Sequence, residues 1–152
     1  TGVQTCALPI WLGIVQDVLL EVHVAKETTK TGFTPEEIKD LMEPDQMIHF
    51  PHVRVRGLMA MATNTDDQAE IRRCFQQTKC LYDQINDHMV NDRMVHVSMG
   101  MSEDYEIAIA CGSNMVRIGS SIFGERSASY SPKDGLTAKR SYSRAVIQRS
   151  GP

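Results

Sequence analysis

The feature that most constrains this chain is a regular alternation of strand-like and helix-like segments between residues 17 and 123. Four short apolar runs, at 17–25, 53–62, 94–98 and 115–118, have the composition or the alternation of strands. Each run is followed by a segment with helical spacing or a helix start signal. Because parallel strands need a crossover between them, this order predicts βαβ units and a parallel sheet. Four such units form half of an eight-unit barrel or a small doubly wound sheet.

Helix boundaries are marked by start and stop residues. Thr34 is in the position of an N-cap, Pro35 follows in the first turn, and Glu37 completes a capping box. A third helix is predicted at 103–111, with Gly112 as its stop. These signals place the helices between the predicted strands.

The same patterns assign side chains to faces. In the second strand, strict alternation places Val53, Val55, Met59 and Met61 on one face, and Arg54, Arg56, Leu58 and Ala60 on the other. A cap at 65–68 begins a long second helix that runs to about residue 90. We assign its charged residues to the solvated face: Glu70, Arg72, Arg73, Lys79 and Asp83.

The two ends of the chain differ in composition from its middle. Residues 1–10 (TGVQTCALPI) show no amphipathic period and look like the translation of a sequencing adapter. We therefore exclude them from the fold and expect the native N-terminal part of the protein to be missing. Residues 127–152 are rich in Ser, Lys and Arg and predict a disordered tail. This leaves residues 11–126 as a partial barrel domain.

Composition argues against several classes of protein. A formal net charge of −3 argues against nucleic acid as the main partner. No run approaches the roughly 18 apolar residues of a membrane span. The four cysteines are scattered without a CxxC pair, which predicts free thiols in a reducing cytoplasm. His49 and His52 lack clustered acids or cysteines, so we predict no metal site.

Two glycine- and serine-bearing loops follow the last two predicted strands. They read Ser98-Met99-Gly100-Met101-Ser102 and Arg117-Ile118-Gly119-Ser120-Ser121. Such turns leave backbone N–H groups unpaired, and a helix dipole behind them favours phosphate binding. Barrels commonly bind phosphate on the loops after their last strands. We therefore predict the C-terminal half, (βα)4, of a TIM-type barrel.

In this interpretation, N–H groups at 101–102 and 119–120 converge on an anion beside the Arg117 guanidinium. Two simpler interpretations remain open. Ser102 is then only the N-cap of the third helix, and Arg117 is an ordinary surface or ion-paired arginine.

Three stretches of the chain resemble a known family. They are VLLEVHVAKETTKTG at 18–32, VRGLMAMA at 55–62 and VSMGMSEDYEIAIACGSNMVRIGSSIFGER at 97–126. The chain resembles the pyridoxal-phosphate homeostasis proteins of the YggS/PROSC type over about two-thirds of its length. The resemblance implies a barrel like the N-terminal domain of alanine racemase. It also implies a bound pyridoxal 5′-phosphate and a role as carrier or buffer without catalysis.

The resemblance also implies roles for individual residues. The cofactor-binding residues that match the family are Ser98, Gly100, Met101, Ser102, Arg117, Gly119 and Ser120. Arg117 matches the arginine that faces the pyridine nitrogen, where a permanent cation keeps that nitrogen unprotonated. The family's Schiff-base lysine ends its first strand, which has no counterpart here. Lys26 and Lys30 match other positions.

Two alternatives belong to other functional classes. In the first alternative, the chain is a fragment of a fold-type III pyridoxal-phosphate enzyme, such as an amino-acid racemase. In the second, it is a barrel enzyme that acts on a phosphorylated metabolite. The racemase requires a second domain or subunit with a Tyr or Cys acid/base, and the barrel enzyme has only Glu21 and Lys26 as candidates. A half barrel leaves two open sheet edges, which predicts self-association.

Overall fold

The computed structural model describes residues 11–27, 31–89, 92–124 and 146–148. Its five strands form one sheet in the order β1-β2-β3-β4-β5, in which β1 to β4 are parallel and β5 pairs antiparallel with β4. The strands are β1 (Gln16–Val22), β2 (Val53–Ala60), β3 (His96–Met99), β4 (Met115–Arg117) and β5 (Val146–Gln148). The predicted parallel α/β architecture is confirmed.

Helices connect the parallel strands. They are α1 (Pro35–Leu41), α2 (Pro44–Met47), α3 (Gln68–His88), α4 (Tyr105–Ala110) and α5 (Ser120–Phe123). The predicted capping box begins α1, where the Glu37 N–H donates to Thr34 Oγ1 at 3.2 Å and the Thr34 N–H donates to Glu37 Oε2 at 2.7 Å. Among the residues that the structure describes, no helix is long and apolar enough to span a membrane.

The end of α4 is a Schellman motif at Gly112. The Gly112 N–H donates to Ile109 O at 3.0 Å, and the Ser113 N–H donates to Ala108 O at 3.0 Å. This confirms the predicted stop and turns the chain directly into β4.

A β-bulge in β2 changes the predicted faces of that strand. Val18 pairs with Val55 but Leu19 pairs with Gly57, so Arg56 is passed over in the register. Beyond this point the side chains exchange faces, because side chains alternate with a period of two residues. The buried residues of β2 are therefore Val55, Leu58 and Ala60. The prediction that Met59 shares the face of Val55 is wrong.

The core lies between one face of the sheet and the helices. Its largest fully buried side chains include Phe75 from α3, Ile38 from α1, Leu58 from β2 and Met99 from β3. Burying a side chain of this size contributes about 1.5–3 kcal/mol, so these contacts hold the layers together.

The opposite face of the sheet carries a row of paired residues. Glu21 pairs with Met59, Met59 with Ser98, and Ser98 with Met115. Ser98 is buried, whereas the other three are half-buried. Arg117 lies two residues beyond Met115 and therefore on this same face.

The two predicted terminal segments are outside most of the described structure. Residues 1–10 lie outside it, so their exclusion stays a prediction. Within 127–152, residues 146–148 form β5, and the rest of the predicted tail lies outside the described residues. The β4 edge, which we expected to be open, is therefore paired with β5.

Candidate functional site

The two glycine- and serine-bearing loops meet at the carboxyl edge of the sheet. The first leaves β3 and the second leaves β4, and these strands are parallel neighbours. The Arg117 N–H donates to Gly100 O at 2.9 Å and joins the loops at their base. The structure therefore brings together the residues predicted from both loops.

Ser102 connects the two loops through its side chain. Its hydroxyl oxygen accepts hydrogen bonds from the Gly119 N–H at 3.3 Å and the Ser121 N–H at 3.2 Å. Two backbone donors from the start of α5 thus point at one oxygen position. A phosphate oxygen at the same place would meet the same donors.

This geometry corrects two expectations about the first loop. The Met101 N–H donates to Asp104 Oδ1 at 2.6 Å, so it does not point at the shared oxygen position. Asp104 is the N-cap residue of α4, so Ser102 is not that cap. Sequence reasoning extended the helix start to residue 103 because Glu103 and Asp104 are favourable at a helix N-terminus.

The second loop differs from the prediction by one residue. The predicted amides are those of Gly119 and Ser120, whereas the converging amides belong to Gly119 and Ser121. Ser120 is the first residue of α5 and Ser121 the second. No local pattern identifies Ser121, because the N-cap residue Gly119 has no side chain and the acceptor, the Ser102 hydroxyl, belongs to the other loop.

Gly100 allows the first loop to lie against α4. Its φ is +97°, and a Cβ there would lie 2.7 Å from Ala108 Cβ and 2.9 Å from Tyr105 Cα. A larger residue would push the loop away from the helix and displace Ser102 from the second loop.

Ser98 and Arg117 belong to the face of the sheet that the helices do not cover. Ser98 is 1% exposed, and the Nε and Nη2 atoms of the half-buried Arg117 are shielded from solvent. Part of the Arg117 guanidinium is therefore shielded from solvent on this face of the sheet.

A charged cluster lies at the ends of β1 and β2, apart from the two loops. Glu70, 9% exposed, accepts from Arg73 Nη2 at 2.6 Å and Thr63 Oγ1 at 3.2 Å, and pairs with Lys26 Nζ at 3.0 Å. Arg73 and then Lys26 lower the pKa of the Glu70 carboxyl to about 2. The assignment of Glu70 to the solvated face of its helix is wrong, because the first turn of α3 faces these strand ends.

This charged cluster also connects loops. The Lys26 N–H donates to Thr63 Oγ1 at 3.2 Å, and the Asn64 N–H donates to Glu27 Oε1 at 2.7 Å. The segments that follow β1 and β2 are therefore fixed to each other in the same way as those that follow β3 and β4. Among the described residues, no group of three or more His, Cys, Asp or Glu side chains could hold a metal ion.

Comparison with known proteins places this fold in a family. The family model for the alanine racemase N-terminal domain matches residues 9–127. The chain belongs to the alanine racemase N-terminal domain family. This confirms the predicted fold class, an α/β partial barrel of the alanine racemase N-terminal type.

Curated members of the alanine racemase N-terminal domain family include close relatives of this chain. The pyridoxal phosphate homeostasis proteins of Helicobacter pylori and Aquifex aeolicus are each 42% identical to it, over 114 and 113 residues. These matches cover 75% and 74% of this chain, and 48% of each relative. The chain thus spans about half the length of the curated relatives it matches, and the predicted resemblance is confirmed.

Several solved structures resemble the fold of this chain. PipY of Synechococcus elongatus without PLP matches this chain with a TM-score of 0.70 at 26% identity. The match covers 80% of this chain and 55% of the PipY chain. PipY with PLP bound has a TM-score of 0.66 at 27% identity, with coverage of 78% and 54%. A protein of unknown function from Bifidobacterium adolescentis has a TM-score of 0.69 at 32% identity, with coverage of 78% and 47%.

Proposed function

We propose that this chain binds pyridoxal 5′-phosphate through its carboxyl-edge loops and serves in homeostasis of that cofactor. The observation that carries the proposal is the convergence of the Gly119 and Ser121 N–H groups on one oxygen position, which the Ser102 hydroxyl oxygen occupies in this structure. It is supported by relatives named pyridoxal phosphate homeostasis protein and by the PipY structure with PLP bound.

The residues present fit the phosphate and the ring of this cofactor. The two amides would hold a phosphate oxygen, and the Ser102 hydroxyl would turn to donate to another. Arg117 would face the pyridine nitrogen as a donor and prevent its protonation. When bound, the cofactor supplies an aldehyde and an electron-accepting ring. A ring with an unprotonated nitrogen accepts electrons poorly, which favours a carrier over a transaminase.

We further propose that the role is binding rather than catalysis and that it takes place in the cytoplasm. The names of the curated relatives describe homeostasis. Three thiols among the described residues, those of Cys74, Cys80 and Cys111, are free, which fits a reducing compartment. The second candidate, a racemase fragment, is favoured by the description of the family model. Interconversion of L- and D-alanine with added cofactor would support it.

A titration of the full chain with pyridoxal phosphate, followed by ³¹P NMR, tests the proposal. We expect binding in about the millimolar range, because phosphate contacts act without a covalent lysine bond. Ser121→Pro removes the converging N–H, and we expect it to weaken binding about tenfold, a loss of about 1.4 kcal/mol. The matched variant Ser121→Ala keeps that N–H and should bind like the wild type.

Equal binding by wild type and Ser121→Pro, with both shown to be folded by circular dichroism, would contradict the proposal. A second measurement tests the prediction that the family's Schiff-base lysine has no counterpart here. Borohydride reduction and peptide mapping should give no stoichiometric adduct on a single lysine. Such an adduct would overturn that prediction, but not the binding of the cofactor.

We also propose that the chain associates with a second copy through the β1 edge. In the described structure the β4 edge is paired with β5, whereas β1 has only the bridge from Val22 to Phe33 on its outer side. Four exposed apolar residues precede β1: Trp11, Leu12, Ile14 and Val15. An open strand edge beside apolar surface favours strand-to-strand association.

A further inference from the structure

Two polar residues outside both loops, Ser113 and Asn114, bond β3 to β4 through their side chains. Ser113 follows the Schellman stop of α4 and is 7% exposed. Asn114 comes immediately before β4 and is exposed. Sequence patterns gave no role to either residue.

The Ser113 hydroxyl lies between the two strands. Its oxygen accepts from the Met99 N–H at 3.2 Å and lies 2.8 Å from Met99 O, 3.1 Å from Val97 O and 3.0 Å from Met115 O. One hydroxyl has one proton, so it donates to one of these three carbonyls at a time. Whichever carbonyl receives that proton, the Ser113 hydroxyl oxygen still accepts a hydrogen bond from the Met99 N–H of β3.

The Asn114 side chain extends this connection along β3. Its Oδ1 accepts from the Val97 N–H at 2.8 Å, and its Nδ2 donates to Val95 O at 2.7 Å. Its backbone N–H donates to Val97 O at 3.1 Å. The amide group thus supplies the alternating donor and acceptor that a neighbouring strand would present.

These side-chain bonds matter because the backbone pairing here is short. The register of β3 and β4 is one residue pair, Ser98 with Met115. Gly100 of the first loop follows β3 directly, and the second loop starts at Arg117, the last residue of β4. A change in strand separation would therefore move Ser102 away from the Gly119 and Ser121 amides.

We propose that Ser113 and Asn114 are positioning residues that set the distance between the two phosphate-binding loops. The effect on cofactor binding rests on the proposed function, whereas the hydrogen bonds of Ser113 and Asn114 are present in the structure without a cofactor. It predicts that removing the Ser113 hydroxyl loosens the contact between the loops selectively, beyond any general loss of stability.

Amide hydrogen exchange of the unliganded full chain tests the geometry. In Ser113→Ala, we expect exchange at Gly119 and Ser121 to accelerate on the order of tenfold relative to the core amide of Val55. Thr78→Val is the matched control, because Thr78 is fully buried and its hydroxyl donates to Cys74 O at 3.0 Å within α3. It should leave the ratio unchanged.

Binding of pyridoxal phosphate, measured by ³¹P NMR, tests the consequence. We expect Ser113→Ala and Asn114→Ala each to raise the dissociation constant about tenfold, and Ser113→Thr, which keeps the hydroxyl, to restore binding. If Ser113→Ala does not fold, both amide exchange and cofactor binding are measured on Asn114→Ala, because Asn114 is exposed.

Unchanged exchange ratios in folded Ser113→Ala or Asn114→Ala would overturn the positioning role. A wild type that binds no cofactor, together with selectively faster exchange in the variants, would contradict the proposed function and support the positioning role. The two proposals therefore fail separately.

Discussion

At the residue scale, Gly57 allows β2 to lie close to β3. A Cβ at this position would lie 2.0 Å from the backbone oxygen of His96 on β3. Backbone cannot move aside as a flexible side chain can, so the two strands would have to separate. The glycine therefore permits the close approach of β2 to β3.

We expect Gly57→Ala to lower the free energy of unfolding by about 3 kcal/mol, the upper part of the range for overpacking. Urea unfolding measures this loss. Gly119→Ala is the matched control for stability, because a Cβ there meets nothing within 4 Å. Equal stability of Gly57→Ala and the wild type would contradict the close approach.

At the element scale, the first turn of α3 links the helix to the ends of β1 and β2 through Glu70. Arg73 and Lys26 hold its pKa at about 2, below its ordinary value of 4.5. The charged carboxylate therefore stabilises the fold fully above about pH 4.5. This stabilisation is lost as the pH falls from 4.5 towards 2, because the unfolded chain takes up the proton first.

We therefore expect Glu70→Gln to be less stable than the wild type at pH 7, and the difference to shrink between pH 4.5 and 2. Urea midpoints across this range measure it. Asp83→Asn is the control on the same helix, because it removes only the exposed pair with Lys79 at 2.6 Å. A difference that stays constant with pH would show that Glu70 acts by packing rather than by charge.

At the scale of the whole molecule, the open β1 edge is the surface through which we propose that two copies associate. We expect the wild type to sediment above monomer mass in a concentration-dependent manner. The double variant Ile14→Lys and Val15→Lys places charges beside the edge and should be monomeric. Ile122→Lys with Phe123→Lys is the control, because these residues are also exposed but belong to α5. A compact wild-type monomer at every concentration would contradict the proposal.

Local signals in the sequence were sufficient for the four parallel strands, for most of the helices and for the family, but not for α2 or β5. The capping box at Thr34 and Glu37 and the stop at Gly112 depend on neighbours within a few residues, so their roles follow from spacing alone. The two loops after β3 and β4 share one edge because parallel strands end on the same side of a sheet. The sequence therefore predicts that the two loops lie together, which the structure confirms, while their role in binding stays a proposal.

Only the tertiary structure decided the details that depend on distant neighbours. Hydropathy alternation does not show a bulge, because one passed-over residue at Arg56 changes the faces without changing composition. The acceptor for the Ser121 N–H is Ser102, nineteen residues away. The burial of Glu70 depends on Lys26 and Thr63 from other segments. The sequence by itself determined the order of the four parallel strands, most of the helices between them and the family, because those depend on local pattern. Which donors converge and which charges are buried was decided by packing, since both depend on distances that only the folded chain sets.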